Sequence, residues 1–124
     1  MESITKPKIL AVEGIDEINF FTAFFKVLEI TDVQILDFKG KTNFPTNISA
    51  LPNIPGFDSV SKIGLIRDAD DNEPKSAFDS LVAALNKAQI PAPTELNRFT
   101  TESPSVGIFI MPDNVKKGML EDLC

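Results

Sequence analysis

The chain has no histidine, no tryptophan and no tyrosine, and its one cysteine is Cys124, the last of 124 residues. An intramolecular disulfide is therefore excluded, and so are cysteine–histidine zinc sites. A serine–histidine–aspartate or cysteine–histidine nucleophile pair cannot be assembled either. What remains for chemistry is carboxylates, lysine and arginine, hydroxyls and backbone amides. Such a donor set suits hard, oxygen-loving cations of the Mg²⁺ or Mn²⁺ kind. Composition thus leaves two classes, metal-assisted chemistry or no chemistry. No uncharged apolar run of about 18 residues occurs, so no membrane span is expected. The opening residues, Met1-Glu2-Ser3-Ile4-Thr5-Lys6, lack an apolar stretch of the signal-peptide kind, and a cytoplasmic protein is expected.

What is present reads as globular: 43% hydrophobic and 24% charged residues. The length suits one domain spanning residues 1–124. Eighteen acids against twelve bases give a net charge of −6, which argues against a basic nucleic-acid groove. Six of the acids, however, fall in two short clusters: Glu13 with Asp16, and Asp68 with Asp70, Asp71 and Glu73. Without those six the acids and bases balance. Cations bound between the clusters would offset much of the excess, so a phosphate-bearing substrate stays open.

No repeat or heptad interrupts the chain. Short apolar runs alternate instead with helical periodicity. Lys8–Val12 reads as a buried strand ending at Glu13-Gly14. A helix is expected from Asp16 to about Glu29, with Phe21, Phe24, Phe25 and Leu28 on one face. Ile18, Phe20 and Val27 widen that face, so later chain or a second subunit, as in a homodimer, is expected to cover it. Val33–Phe38 reads as a second strand. Pro45, Pro52 and Pro55 leave room for one short helix near Thr46–Leu51. Lys62–Arg67 is a third strand. Pro74 suits the first turn of the next helix, whose stripe is Phe78, Leu81, Val82 and Leu85 and which ends before Pro91. Val106–Met111 is the last strand, expected to pair antiparallel with Leu96–Thr101. Lys116–Cys124 reads as the opening of a helix, either a short cap or the start of a longer protein.

This alternation predicts an α/β, three-layer sandwich around a mainly parallel central sheet. Ligands of such folds gather beyond the carboxyl ends of the strands, and both acid clusters begin where a strand stops. Glu13 is read as a site residue or a solvated loop acid, and Asp16 as a site residue or the cap of the first helix. Asp68 and Asp70, two apart on extended chain, point the same way and can share a cation. Asp71 and Glu73 fit the N-terminal turn of a helix, where the dipole favours acids. Gly40-Lys41-Thr42 fails as a Walker loop because Ile35 stands where its first glycine belongs. Lys39 and Lys41 then read as a solvated turn or as phosphate contacts. Glu121 and Asp122 are either a solvated helix face or late ligands.

A strand ending in Glu-Gly, a following helix and a later strand ending in Asp-x-Asp resemble the Toprim domain. That domain occurs in topoisomerases, bacterial primases, recombination-repair proteins and the overcoming-lysogenization-defect nucleases. The matching stretches are Ile9–Phe25 (ILAVEGIDEINFFTAFF) and Ile63–Asp71 (IGLIRDADD), and the Val-Glu-Gly-x-x-Asp form is most similar to the nuclease branch. Gly107–Asn114 and Gly118–Asp122 resemble a small bacterial family of uncharacterised Toprim-related proteins, whose members run on beyond the Gly-Met-Leu-Glu-Asp stretch. The common Toprim form has a glycine shortly after its Asp-x-Asp, where this chain has Asp71-Asn72-Glu73.

The resemblance implies a Toprim/Rossmann-like fold and a Mg²⁺ or Mn²⁺ site. It makes Asp68 and Asp70 the ligands, with Asp16 helping a second cation. Glu13 would be a ligand or a general acid/base. Asp71, Glu121 and Lys41 stand beside these as additional candidates from the reading of the residues themselves. The function expected from it is phosphodiester cleavage on nucleic acid. Two other readings remain beside it. One is a non-catalytic interaction module, suggested by the acidic surface and the wide aromatic helix face. The other is a receiver-like Mg²⁺ site with a phosphorylatable aspartate, in which Glu-Gly replaces the expected acid pair after the first strand.

Overall fold

In a computed structural model the chain forms a four-stranded sheet flanked by helices, described for residues 3–39, 43–68, 74–96 and 98–111. The elements run β1 (Lys8–Val12), α1 (Ile15–Val27), β2 (Val33–Asp37), α2 (Phe44–Ala50), β3 (Lys62–Asp68), α3 (Pro74–Lys87) and β4 (Ser105–Met111). Two 3₁₀ turns, Leu51–Asn53 and Phe57–Ser59, lie between α2 and β3. The strand order is β2-β1-β3-β4, and every neighbouring pair is parallel. The α/β sandwich expected from the alternation of patterns is what forms, with the sheet wholly rather than mainly parallel.

Parallel strands covered on both faces lose the polar side that an exposed strand would keep, which is why these runs are continuously apolar. Alternate residues divide between two cores. Ile9, Ala11, Leu36, Ile63, Leu65, Val106, Ile108 and Ile110 face α2 and α3. Leu10, Val12, Val33, Ile66 and Phe109 face α1 through Phe21 and Phe25. This two-sidedness follows from right-handed crossovers. The chain steps from β1 to β2 in one direction, then returns past β1 to β3 and on to β4. The reversal sends α1 to one face and α2 with α3 to the other.

α1 begins at Ile15 and ends in a Schellman motif. Glu29 takes a left-handed conformation (φ 59°), its N–H donates to the Lys26 carbonyl, and the Ile30 N–H donates to the Phe25 carbonyl. α3 ends the same way, with Gln89 at φ 61°, Gln89 N–H to Asn86 and Ile90 N–H to Leu85. α2 starts two residues earlier than the sequence suggests, because Pro45 sits in its first turn rather than breaking it. The loop before β3 turns at Gly56 (φ 96°), where a β-carbon would stand 2.0 Å from the Ile4 carbonyl oxygen, so only glycine fits.

One expectation needs correction. β4 pairs parallel with β3, from Lys62 opposite Ser105 to Asp68 opposite Met111. Residues 96–101 form no antiparallel strand beside it. Thr100 bonds to β4 instead: its N–H donates to the Val106 carbonyl (2.9 Å), its Oγ1 accepts from the Val106 N–H (3.0 Å), and its carbonyl accepts from the Ser105 hydroxyl (2.6 Å), while the Phe99 ring packs on Phe109 at 5.6 Å. The aromatic face of α1 is only half covered. Phe21 and Phe25 are buried, but Phe20, Val27 and Leu28 are exposed, Val27 by 81%. The expected helix at 116–124 lies outside the described residues.

Candidate functional site

Because all four strands are parallel, their carboxyl ends form one edge. Glu13 follows β1, Asp37 closes β2 and Asp68 closes β3. In register, Val12 lies opposite Asp37 and Ala11 opposite Leu65. The strand order reverses between β1 and β3, which is the position where open α/β sheets leave a crevice for ligands. Glu13 and Asp68 flank that position.

Glu13 continues the alternation of Ala11 onto the face covered by α2 and α3. Arg67 continues the alternation of Ile63 and Leu65 onto the same face. The two side chains meet: Arg67 Nε donates to Glu13 Oε1 at 3.2 Å, with the side chains only 7% and 13% exposed. The guanidinium lies over the Phe44 ring at 6.0 Å, and Phe44 meets Phe38 edge to face at 5.0 Å, both rings fully buried. A planar, permanently charged guanidinium tolerates such a place because it can stack on an aromatic ring while its edge bonds a carboxylate.

The β2–α2 loop borders the same edge. Asp37 Oδ1 accepts the Lys39 N–H (2.7 Å), Asn43 Nδ2 donates to the Lys39 carbonyl (3.0 Å), and Asn47 Nδ2 donates to the Phe38 carbonyl (3.0 Å). These bonds hold Lys39, which is exposed and left-handed (φ 56°), beside the segment that supplies the Phe44 ring.

Of the residues expected at the site, Glu13 is neither solvated nor unpaired, so its reading as a loop acid in water is overturned. Asp16 is no cap: Gly14 holds that position in extended backbone without a side-chain bond, and Asp16 is exposed in the first turn of α1. Asp68 is brought to the crevice edge by β3. Asp70, Asp71, Glu73, Lys41, Glu121 and Asp122 lie outside the described residues. Oxygen donors of the kind that bind Mg²⁺ or Mn²⁺ therefore stand at this edge, although no group of three close carboxylates occurs among the described residues. Arg67 was not foreseen as a site residue. Its signal was legible: the lone charge at an inward position of the apolar strand Ile63–Ile66.

The chain belongs to the family described as Protein of unknown function (DUF3226), whose model matches residues 7–124. No curated protein and no solved structure matches it.

Proposed function

We propose that this chain is a Toprim-like, divalent-metal-binding domain of the cytoplasm that acts on the phosphodiesters of nucleic acid. The observation that carries this reading is the placement of Glu13, just after β1, and Asp68, at the end of β3, on either side of the position where the strand order reverses. Glu13, Asp68 and Asp70 would hold the cation, with Asp16, Asp71 and Glu121 as further acids. The role of Asp70 follows from the Toprim resemblance, and those of Asp71 and Glu121 from their places in the sequence alone. A bound Mg²⁺ or Mn²⁺ supplies an activated water and neutralises charge developing on phosphate oxygens. Arg67 orients the Glu13 carboxylate through Nε, leaving Glu13 placed to bind or to carry a proton at its carboxylate oxygens.

Calorimetric titration of Mn²⁺ and Mg²⁺ into the wild type, Asp68→Asn and Asp70→Asn tests the reading. Binding in the wild type and its loss in both variants, with melting curves unchanged, is the expected result. Equal binding in all three would overturn the ligand assignment, and metal-dependent nicking that survived Asp70→Asn would overturn the catalytic one.

A second reading is a non-catalytic interaction module that joins a second copy through α1. It is favoured by the groove of about 300 Å³ that Phe20, Ala23, Phe24, Val27 and Leu28 line on the outer face of that helix. Contiguous apolar surface of this kind marks contact sites more often than solvent-facing surface.

A further inference from the structure

Arg67 has a second half that the Glu13 pair does not use. Its Nε is committed to Glu13 Oε1, and Phe44 lies beneath the guanidinium plane. Among the described residues its two Nη atoms have no hydrogen-bond partner. The residue is nonetheless only 6% exposed. A guanidinium held along one edge and one face, with its remaining donors open, is a pre-ordered fork. Its orientation has been settled by folding, so a ligand meets donors that need little further ordering.

We propose that this fork is a binding site for a phosphate group, with Arg67 Nη1 and Nη2 donating to two of its oxygens. The site lies at the carboxyl edge between β1 and β3. Planar bidentate geometry matches phosphate and carboxylate alike; the choice of phosphate rests on the phosphodiester reading given above. Lys39, exposed on the braced loop that leads to Phe44, adds a second positive charge at the same edge. Four acids of that edge, Glu13, Asp16, Asp37 and Asp68, oppose an anion. Glu13 is engaged by Arg67 and Asp37 by the Lys39 N–H, whereas Asp16 is exposed to solvent. The site is thus selective by geometry rather than by net charge.

The chain has only two arginines, Arg67 and Arg98, and Arg98 is an exposed residue paired with Glu95. Their Nε–H groups therefore give two nitrogen–proton correlation signals in a spectrum of arginine-labelled protein, and Arg98→Lys identifies the Arg67 signal. In metal-free buffer containing chelator, inorganic phosphate is expected to shift the Arg67 signal saturably while chloride at equal ionic strength does not. An unmoved Arg67 signal, or parallel shifts of both arginines with salt, would overturn the proposal.

Arg67→Lys keeps the charge and loses the fork. It is expected to weaken phosphate binding tenfold or more by calorimetry. Undiminished phosphate binding in a folded Arg67→Lys protein would also overturn the proposal; if that variant does not fold, the wild-type spectrum decides. Thymidine monophosphate and a thymidine dinucleotide distinguish the source of the group. Tighter binding of the dinucleotide assigns the fork to a nucleic-acid backbone, and tighter binding of the monophosphate assigns it to a terminal or free phosphate. Phosphate binding without Mn²⁺ binding sinks the metal reading and leaves this site standing, whereas Mn²⁺ binding without phosphate binding does the reverse.

Discussion

Two ion pairs in this protein show how far burial changes what a charge does. Arg67 and Glu13 are almost out of water, so solvent screens their attraction little. Attraction in such a pair largely repays desolvation, and its main yield is a defined geometry at the end of β1 and β3. Lys8 and Asp32, 3.0 Å apart, lie at the opposite edge with Asp32 47% exposed. The hydrogen bond from the Lys8 ammonium holds the Asp32 carboxyl below its ordinary value. A carboxyl depressed on folding contributes stability above its unfolded pKa, and that contribution fades as pH falls through the lower folded value. Asp32→Asn is therefore expected to remove about 0.5 kcal/mol or less near neutrality, since exposed pairs are screened. The difference from wild type should shrink as the pH falls below the ordinary carboxylate range. Urea melts at pH 7 and at pH 3 check it; an equal difference at both would refute the assignment.

At the scale of the element, helix ends carry the clearest strain. α1 and α3 both close with a non-glycine residue in left-handed backbone, Glu29 and Gln89. That conformation brings the β-carbon close to a carbonyl oxygen, at roughly 1–2 kcal/mol for an ordinary residue. Glycine avoids the clash and gives back part of the gain as extra freedom in the unfolded chain. Glu29→Gly and Gln89→Gly are each expected to stabilise the protein by about 0.5–1 kcal/mol, read as a higher denaturant midpoint at unchanged slope. A lower midpoint would mean that the side chains contribute more than the strain costs. The periodicity of the apolar residues showed both helices, but their ends were set by this motif. No glycine marks either position, so the usual sign of the stop is missing.

For the whole molecule, the reversal of strand order governs both the crevice and the uncovered surface. It sends α2 and α3 to one face, where they close a large core, and α1, alone among the described helices, to the other. The outer flank of α1 is then apolar and open, from Phe20 to Leu28. If that flank joins a second copy, light scattering at high concentration should give a dimer, and Val27→Glu should return it to a monomer without lowering the melting temperature. A wild-type monomer under the same conditions would remove the interface. No helix among the described residues is long and apolar enough to cross a membrane.

The sequence by itself determined the local elements and the class of fold, because burial on two faces leaves continuous apolar strands and one-sided packing leaves a 3.6-residue stripe. It also marked the strand ends where Glu13 and Asp68 stand, and it restricted any cation to oxygen ligands by lacking histidine and usable cysteine. Strand order and direction were decided only in three dimensions. The pairing of β4 with β3 rather than with residues 96–101 depends on long-range register, which no local pattern encodes. The same holds for Arg67: its charge was visible, but its partner lies 54 residues away, just past the end of another strand. Only the parallel register of β1 with β3 makes that distant carboxylate a neighbour.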